Sequence, residues 1–214
     1  MSLFGNVGKA TTSGPKAKFL TTKLGDFLMR VDKTKISKGD KGTFAFTEGT
    51  VLHSISGNSD HWKEGDFVAD CQKKTQKTEG MFGSFIKRYV ATLNGIDPNH
   101  KFSDDESENN TKWAQLSADC FGDEKYNPEK NKMEMTCPNP FEGALLHVKV
   151  VEDDQSGKDA DKIQYDDQGK PKVYKQVLVL GLVAPEDIPA EVMEKYGKTL
   201  HPSYRIVCNR EDNA

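Results

Sequence analysis

Cysteine is scarce in this chain and carries no pattern. Cys71, Cys120, Cys137 and Cys208 are the only four; no two form a C-x-x-C, and no histidine stands at zinc-finger spacing from another ligand. They read as reduced thiols in a reducing compartment rather than as a metal site. The acidic run Asp153-Asp154-Gln155-Ser156-Gly157-Lys158-Asp159 lacks the EF-hand order. Gly80-Met81-Phe82-Gly83 has neither the dinucleotide nor the P-loop glycine pattern. Nucleophile elbows and zincin motifs are missing as well. These absences leave enzyme as the weaker class, and no cofactor or metal is expected. No apolar run approaches the roughly 20 residues of a spanning helix. The start, MSLFGNVGKATTSGPK, has no apolar signal-peptide core, so a cytoplasmic protein without membrane contact is expected.

What remains is polar but able to form a core. Of 214 residues, 35% are hydrophobic and 18 are glycine, and the mean hydropathy is −0.71. Charge is unevenly spread. Residues 1–103 hold 16 Lys and Arg against 10 Asp and Glu, and residues 104–214 hold 14 against 23. A net of −3 therefore hides a basic first half and an acidic second half, a pattern that hints at nucleic-acid contact.

Residues 1–24 read as a flexible arm with Lys9, Lys16, Lys18 and Lys23, and 25–214 as one β-rich domain. Phe27, Met29 and Val31 alternate with Leu28, Arg30 and Asp32, the period of a half-buried strand. A turn at 37–42 leads to a strand over 43–56, where Phe44 and Phe46 share one face. Glu48-Gly49 suggests a bulge or tight hairpin within it. A turn at 57–60 precedes a third strand with Phe67, Ala69 and Cys71. Then the period changes: Phe82, Phe85, Ile86, Tyr89, Val90 and Leu93 form a helical stripe, with Lys87 and Arg88 off it, facing solvent or a ligand. The acidic segment 98–110 reads as exposed loop and 111–121 as a short helix. Pro128, Pro138 and Pro140 keep the next stretch irregular. Strands follow at 145–150 and 173–183, the latter apolar enough for a central strand buried on both faces. A polar loop over about 153–171 separates them, as another covers about 97–110. A helix starts at Pro189, and 204–208 suits a last short strand. The fold class is α+β and β-rich: a curved antiparallel sheet or OB-like barrel, with helices after strand 3 and near the C-terminus.

Three segments carry a resemblance. Gly25-Asp26-Phe27-Leu28-Met29-Arg30-Val31, then Trp62-Lys63-Glu64-Gly65-Asp66, then the run from Gly83-Ser84-Phe85-Ile86 to Leu93-Asn94-Gly95 resemble small phage single-stranded-DNA-binding proteins. They are similar in particular to the podovirus family of cofactors that place a phage RNA polymerase on single-stranded promoter DNA. The resemblance covers roughly residues 25–95. It implies cooperative, sequence-tolerant binding of single-stranded DNA in the infected bacterial cytoplasm, in support of phage replication or transcription. A phage RNA polymerase and further copies of the chain are the implied protein partners. A virion or protein-interaction module without nucleic-acid binding is the alternative.

Single-strand binding needs cations along the phosphates and aromatic faces for the bases. The basic candidates are Arg30, Lys33 and Lys35, then Lys73, Lys74 and Lys77, then Lys87 and Arg88. Trp62, in a polar turn beside Lys63, and Tyr174, between Lys172 and Lys175, are the aromatic candidates. Phe27, Phe67, Phe82 and Phe85 sit at core periods and read as core, as does Tyr89.

Overall fold

The structure is a computed structural model, and it describes residues 7, 23–40, 42–55, 62–129, 131–136, 139–156 and 158–202. Seven strands and three α-helices are found among them. Strands β1 (Gly25–Gly39), β2 (Gly42–Ser54) and β3 (Phe67–Lys74) are followed by helices α1 (Glu79–Leu93) and α2 (Glu106–Phe121). Next come β4 (Asp123–Asn127), β5 (Lys132–Thr136), β6 (Leu145–Asp153), β7 (Tyr174–Leu182) and α3 (Ala190–Tyr196). Five strands form one sheet in the order β3-β2-β1-β6-β7, and every neighbouring pair is antiparallel. Strands β3 and β7 are its two edges, so the sheet is open. An OB-like barrel is not formed; the antiparallel-sheet alternative is. No helix among the described residues is long and apolar enough to cross a membrane.

The strand pattern follows from what α1 demands. Its stripe residues Phe82, Phe85, Ile86, Tyr89, Val90 and Leu93 are all buried, each worth roughly 1.5–3 kcal/mol of transfer free energy. They need an apolar floor, and alternate residues of all five strands supply it: Phe27, Met29 and Val31 from β1, Ala45 and Val51 from β2, Val68 from β3, Leu146, Val148 and Val150 from β6, and Val177 from β7. Helix α2 seals the side of this core with Trp113, Cys120 and Phe121. Burial pushes the Cys120 thiol up to about 12.

Gly49 is fixed by a close approach. A Cβ there would come within 2.4 Å of the Arg30 carbonyl oxygen and 2.7 Å of Met29 Cγ. The irregularity expected at Glu48-Gly49 lies across the pair, in β1, where the register shifts between Val31 and Lys33. Strand β2 runs through without a hairpin. The extra residue lets Val31 and then Thr34 both face α2's side of the sheet, and the Thr34 hydroxyl donates to the Cys120 carbonyl.

Several local expectations change. Helix α2 begins at Glu106, because Asp105 caps it by accepting from the Glu108 amide at 2.8 Å and the acidic first turn suits a helix N-terminus. Part of the expected irregular stretch is a two-stranded hairpin, β4-β5, with Pro128 in its turn. Among the described residues, β7 is an edge, not a central strand. The 153–171 loop is stapled by Gln155, 1% exposed, whose amide donates to the carbonyls of Gln164 at 2.9 Å and Lys172 at 2.7 Å. Most of the expected arm and the expected strand at 204–208 lie outside the described residues. Val7, which is described, is buried in the main core, and Leu24 packs on it.

One buried charge ties α1 to the sheet. Asp70 of β3 is 1% exposed and accepts from the Tyr89 hydroxyl at 2.7 Å and from Arg88 Nη2 at 3.3 Å. Burial pushes its carboxyl above the ordinary range, opposed by Arg88 and the Tyr89 bond. A raised acid gives stability that is full below its unfolded value, near 3.8, and is lost as pH rises through the folded value. Arg88→Leu removes the compensating cation, so it should cost about 3–5 kcal/mol at pH 7. The loss should be smaller at pH 5 than at pH 7, because burial raises the Asp70 carboxyl and falling pH favours the neutral form that needs no cation. Urea denaturation at both pH values checks this, and an equal loss at the two would show that Asp70 is not the group left unpaired.

Candidate nucleic-acid interface

Because α1 and α2 cover one face of the sheet, strand alternation sends the other residues to the opposite face. There the chain divides into two regions. At one end, α3 and the segments on either side of it pack Ile188, Val192 and Leu200 over Leu28, Leu52 and Leu145. The other end carries aromatic and basic side chains. Pairing places Lys35 beside Phe46, Ser37 beside Phe44, and Lys33 beside Glu48. On the other side of β2, Phe44 faces Lys73 and Thr50 faces Phe67.

The rings form a strip. Phe44 and Phe46 are 5.9 Å apart between centroids and stacked at 28°. Lys73 Nζ lies 5.4 Å from the Phe44 centroid and Lys35 Nζ 5.3 Å from that of Phe46, positions that favour cation–π attraction. Lys35 is also ion-paired with Glu48. Phe67 is 62% exposed, the most exposed large hydrophobic residue among those described. From Phe67 to Lys73 is six residues of strand, about 20 Å at 3.3 Å each. Phe67 stands four strand residues, about 13 Å, from Cys71, the partner of Phe46, with Glu48 and Ala69 between, so the face carries one stacked ring pair and one separate exposed ring.

The structure sorts the expected site residues. Lys33, Lys35 and Lys73 come together on the strip. Arg30 shares their face but is engaged: Nε donates to Asp32 Oδ1 at 2.7 Å and Nη1 to the Thr199 hydroxyl at 3.1 Å. Lys74 points to the helix side, 3.4 Å from Glu79 Oε1 and over the Phe82 ring at 5.8 Å. Lys77 is exposed in the turn before α1.

Three expectations are corrected. Lys87 does not face solvent or ligand: it is 7% exposed, with Nζ 4.8 Å from the Trp113 centroid. Burial holds its ammonium below the usual lysine range. Arg88 is spent on Asp70. Trp62 is 3% exposed and packs on Phe27 at 5.1 Å between centroids, so its ring offers no face to a base. Lys172, Tyr174 and Lys175 lie at or just before β7, four strands and about 19 Å from β3. The Tyr174 hydroxyl donates to the Gln164 side chain, so this group stands apart from the strip.

Sequence reasoning did not single out Phe44, Phe46 and Phe67 as candidate residues of this face. Phe67 was read as core because it alternates with Ala69 and Cys71. The available signal was the i, i+2 spacing of Phe44 and Phe46 within a run flanked by Lys35 and Lys73. Among the described residues no group of three or more His, Cys, Asp or Glu is placed to hold a metal.

The burial of Trp62 generates a test. Trp62→Ala should lower stability by about 3–5 kcal/mol while leaving oligonucleotide affinity of the folded protein unchanged. Thermal melts and binding titrations on one variant measure both, and affinity lost without stability would return Trp62 to the site.

No protein-family model, no curated protein and no solved structure matches the chain.

Proposed function

We propose that the Phe44–Phe46–Phe67 strip binds single-stranded DNA with little sequence preference, and that the protein is a binding protein rather than an enzyme. The observation that carries this reading is the combination of three phenylalanine rings with Lys33, Lys35 and Lys73 on one sheet face that no described helix or strand covers. Phenylalanine has no hydrogen-bonding group with which to read a base edge. Every base has a face to stack, so such a strip selects unpaired bases over sequence. A duplex hides those faces. The lysines replace counterions along the phosphates.

The resemblance of residues 25–95 adds the biological setting: a phage protein acting on single strands in replication or transcription, in the infected cell's cytoplasm, with a phage RNA polymerase as partner. The protein-interaction reading is favoured by a different observation, the exposed apolar residues Ile55, Leu180 and Leu182. These lie across α3 from the strip, so the two activities are compatible.

Phe67 is the cleanest probe because it is exposed. Phe67→Ala should weaken binding to an oligothymidine by about 1–3 kcal/mol with an unchanged melting temperature; unchanged affinity would remove the ring from the site. Salt provides a second measurement. With Lys33 and Lys73 contacting phosphates and Lys35 held by Glu48, log K against log salt should have a slope of about −1.4, at about −0.7 per contact on single strands. Lys73→Ala should reduce that slope by about 0.7, and an unaltered slope would place the phosphates elsewhere.

A further inference from the structure

Strand β7 is built like an interior strand but stands at an edge. Its sequence, YKQVLVLGL, contains one charge in nine residues, a composition suited to burial on both faces. Yet it pairs only with β6. Among the described residues, the outward backbone groups of 175–182 meet no other strand. Leu180 is 52% and Leu182 38% exposed, and Val173, just before the strand, is 55% exposed. The opposite edge is guarded: β3 ends in Lys73 and Lys74 and is tied to α1 through Asp70. Unprotected apolar edges are templates for another strand.

We propose that β7 pairs antiparallel with β7 of a second copy, joining two sheets into one of ten strands. The strand's own pattern selects this occupant. Overlap of residues 175–181 places the two-fold axis at Leu178, so that Val177 meets Val179 of the other copy and Lys175 meets Gly181. No like charges are opposed, and the glycine leaves space for the lysine stem. The register shift near Leu180 and the inward Lys175 are features that normally limit edge pairing; here they disfavour other registers and open-ended stacking. One strand edge is a small contact, below the ~1,200–2,000 Å² of a stable interface, so the dimer is weak and concentration-dependent.

The two-fold axis is normal to the sheet, which keeps both uncovered faces on the same side. The two β2 strands are then seven strand spacings apart, about 34 Å. If the strip binds single strands, as proposed above, one long strand reaches both copies and binding is cooperative. That consequence rests on the proposed function, whereas the dimer itself does not.

Sedimentation without DNA tests the dimer alone. The full chain should pass from monomer to dimer over the micromolar range, and Leu180→Lys, at an exposed position, should stay monomeric with an unchanged melting temperature. Leu178→Cys places a thiol opposite itself, within the Cα separation a disulfide allows. Mild oxidation should therefore cross-link it far faster than the parent, which controls for the native cysteines. Gln176→Cys should not respond, since its two copies stand about 13 Å apart along the strands. A parent that stays monomeric at hundreds of micromolar overturns the proposal. So does a Leu180→Lys dimer, equal cross-linking at the two positions, or an internal disulfide from Leu178→Cys to Cys208, which would assign the edge to the chain's own C-terminal segment. Loss of DNA binding with the dimer retained would count against the strip and leave this inference standing.

Discussion

The packing of α1 on one face of the sheet is the constraint from which the rest of the arrangement follows. Once Phe85, Tyr89 and their neighbours take Met29, Ala45 and Val68 as their floor, the residues between those positions must face the other way, because strand side chains alternate. Phe44, Phe46 and Phe67 are exposed or half-buried for that reason. They are as apolar as the residues behind them, and no propensity separates the two sets. Among the described residues, α3 covers part of the second face, over Leu28 and Leu52, and no helix or strand covers the aromatic part.

The same constraint divides the basic residues of the first half into two populations. Lys33, Lys35 and Lys73 fall on the uncovered face. Lys74, Lys87 and Arg88 are drawn to the helix side, where they meet Glu79, the Trp113 ring and Asp70. A buried cation is held by its local partner and contributes little to a distant phosphate. The excess charge of residues 1–103 therefore overstates what a ligand meets. Arg88 in particular serves the fold: without it, the Asp70 carboxylate would lie buried without a counter-charge.

Much of the fold was legible because its signals are periodic and local. The β1 alternation, the α1 stripe and the helix after Pro189 all appear where the sequence places them. Errors arose where a tertiary choice decides the outcome. An apolar run such as 173–183 looks the same in the centre of a sheet and at its edge. An aromatic at strand period, such as Phe67, looks the same on a covered face and on an open one. Trp62 lacked a periodic partner in sequence, yet Phe27 meets it across the fold. Local chemistry is ambiguous as well: Asp105 and Glu108 resemble loop acidity in sequence, although an aspartate three residues before an amide it can accept from is a helix start.

Photo-cross-linking most directly tests whether the uncovered face is the one that meets single strands. A bromodeoxyuridine-substituted oligonucleotide, irradiated on the full chain and mapped by peptide mass spectrometry, reports which side chains stack on bases. The account predicts adducts on Phe44, Phe46 or Phe67. Adducts confined to Tyr174 and its neighbours on β7, or to the α1–α2 side, would contradict it.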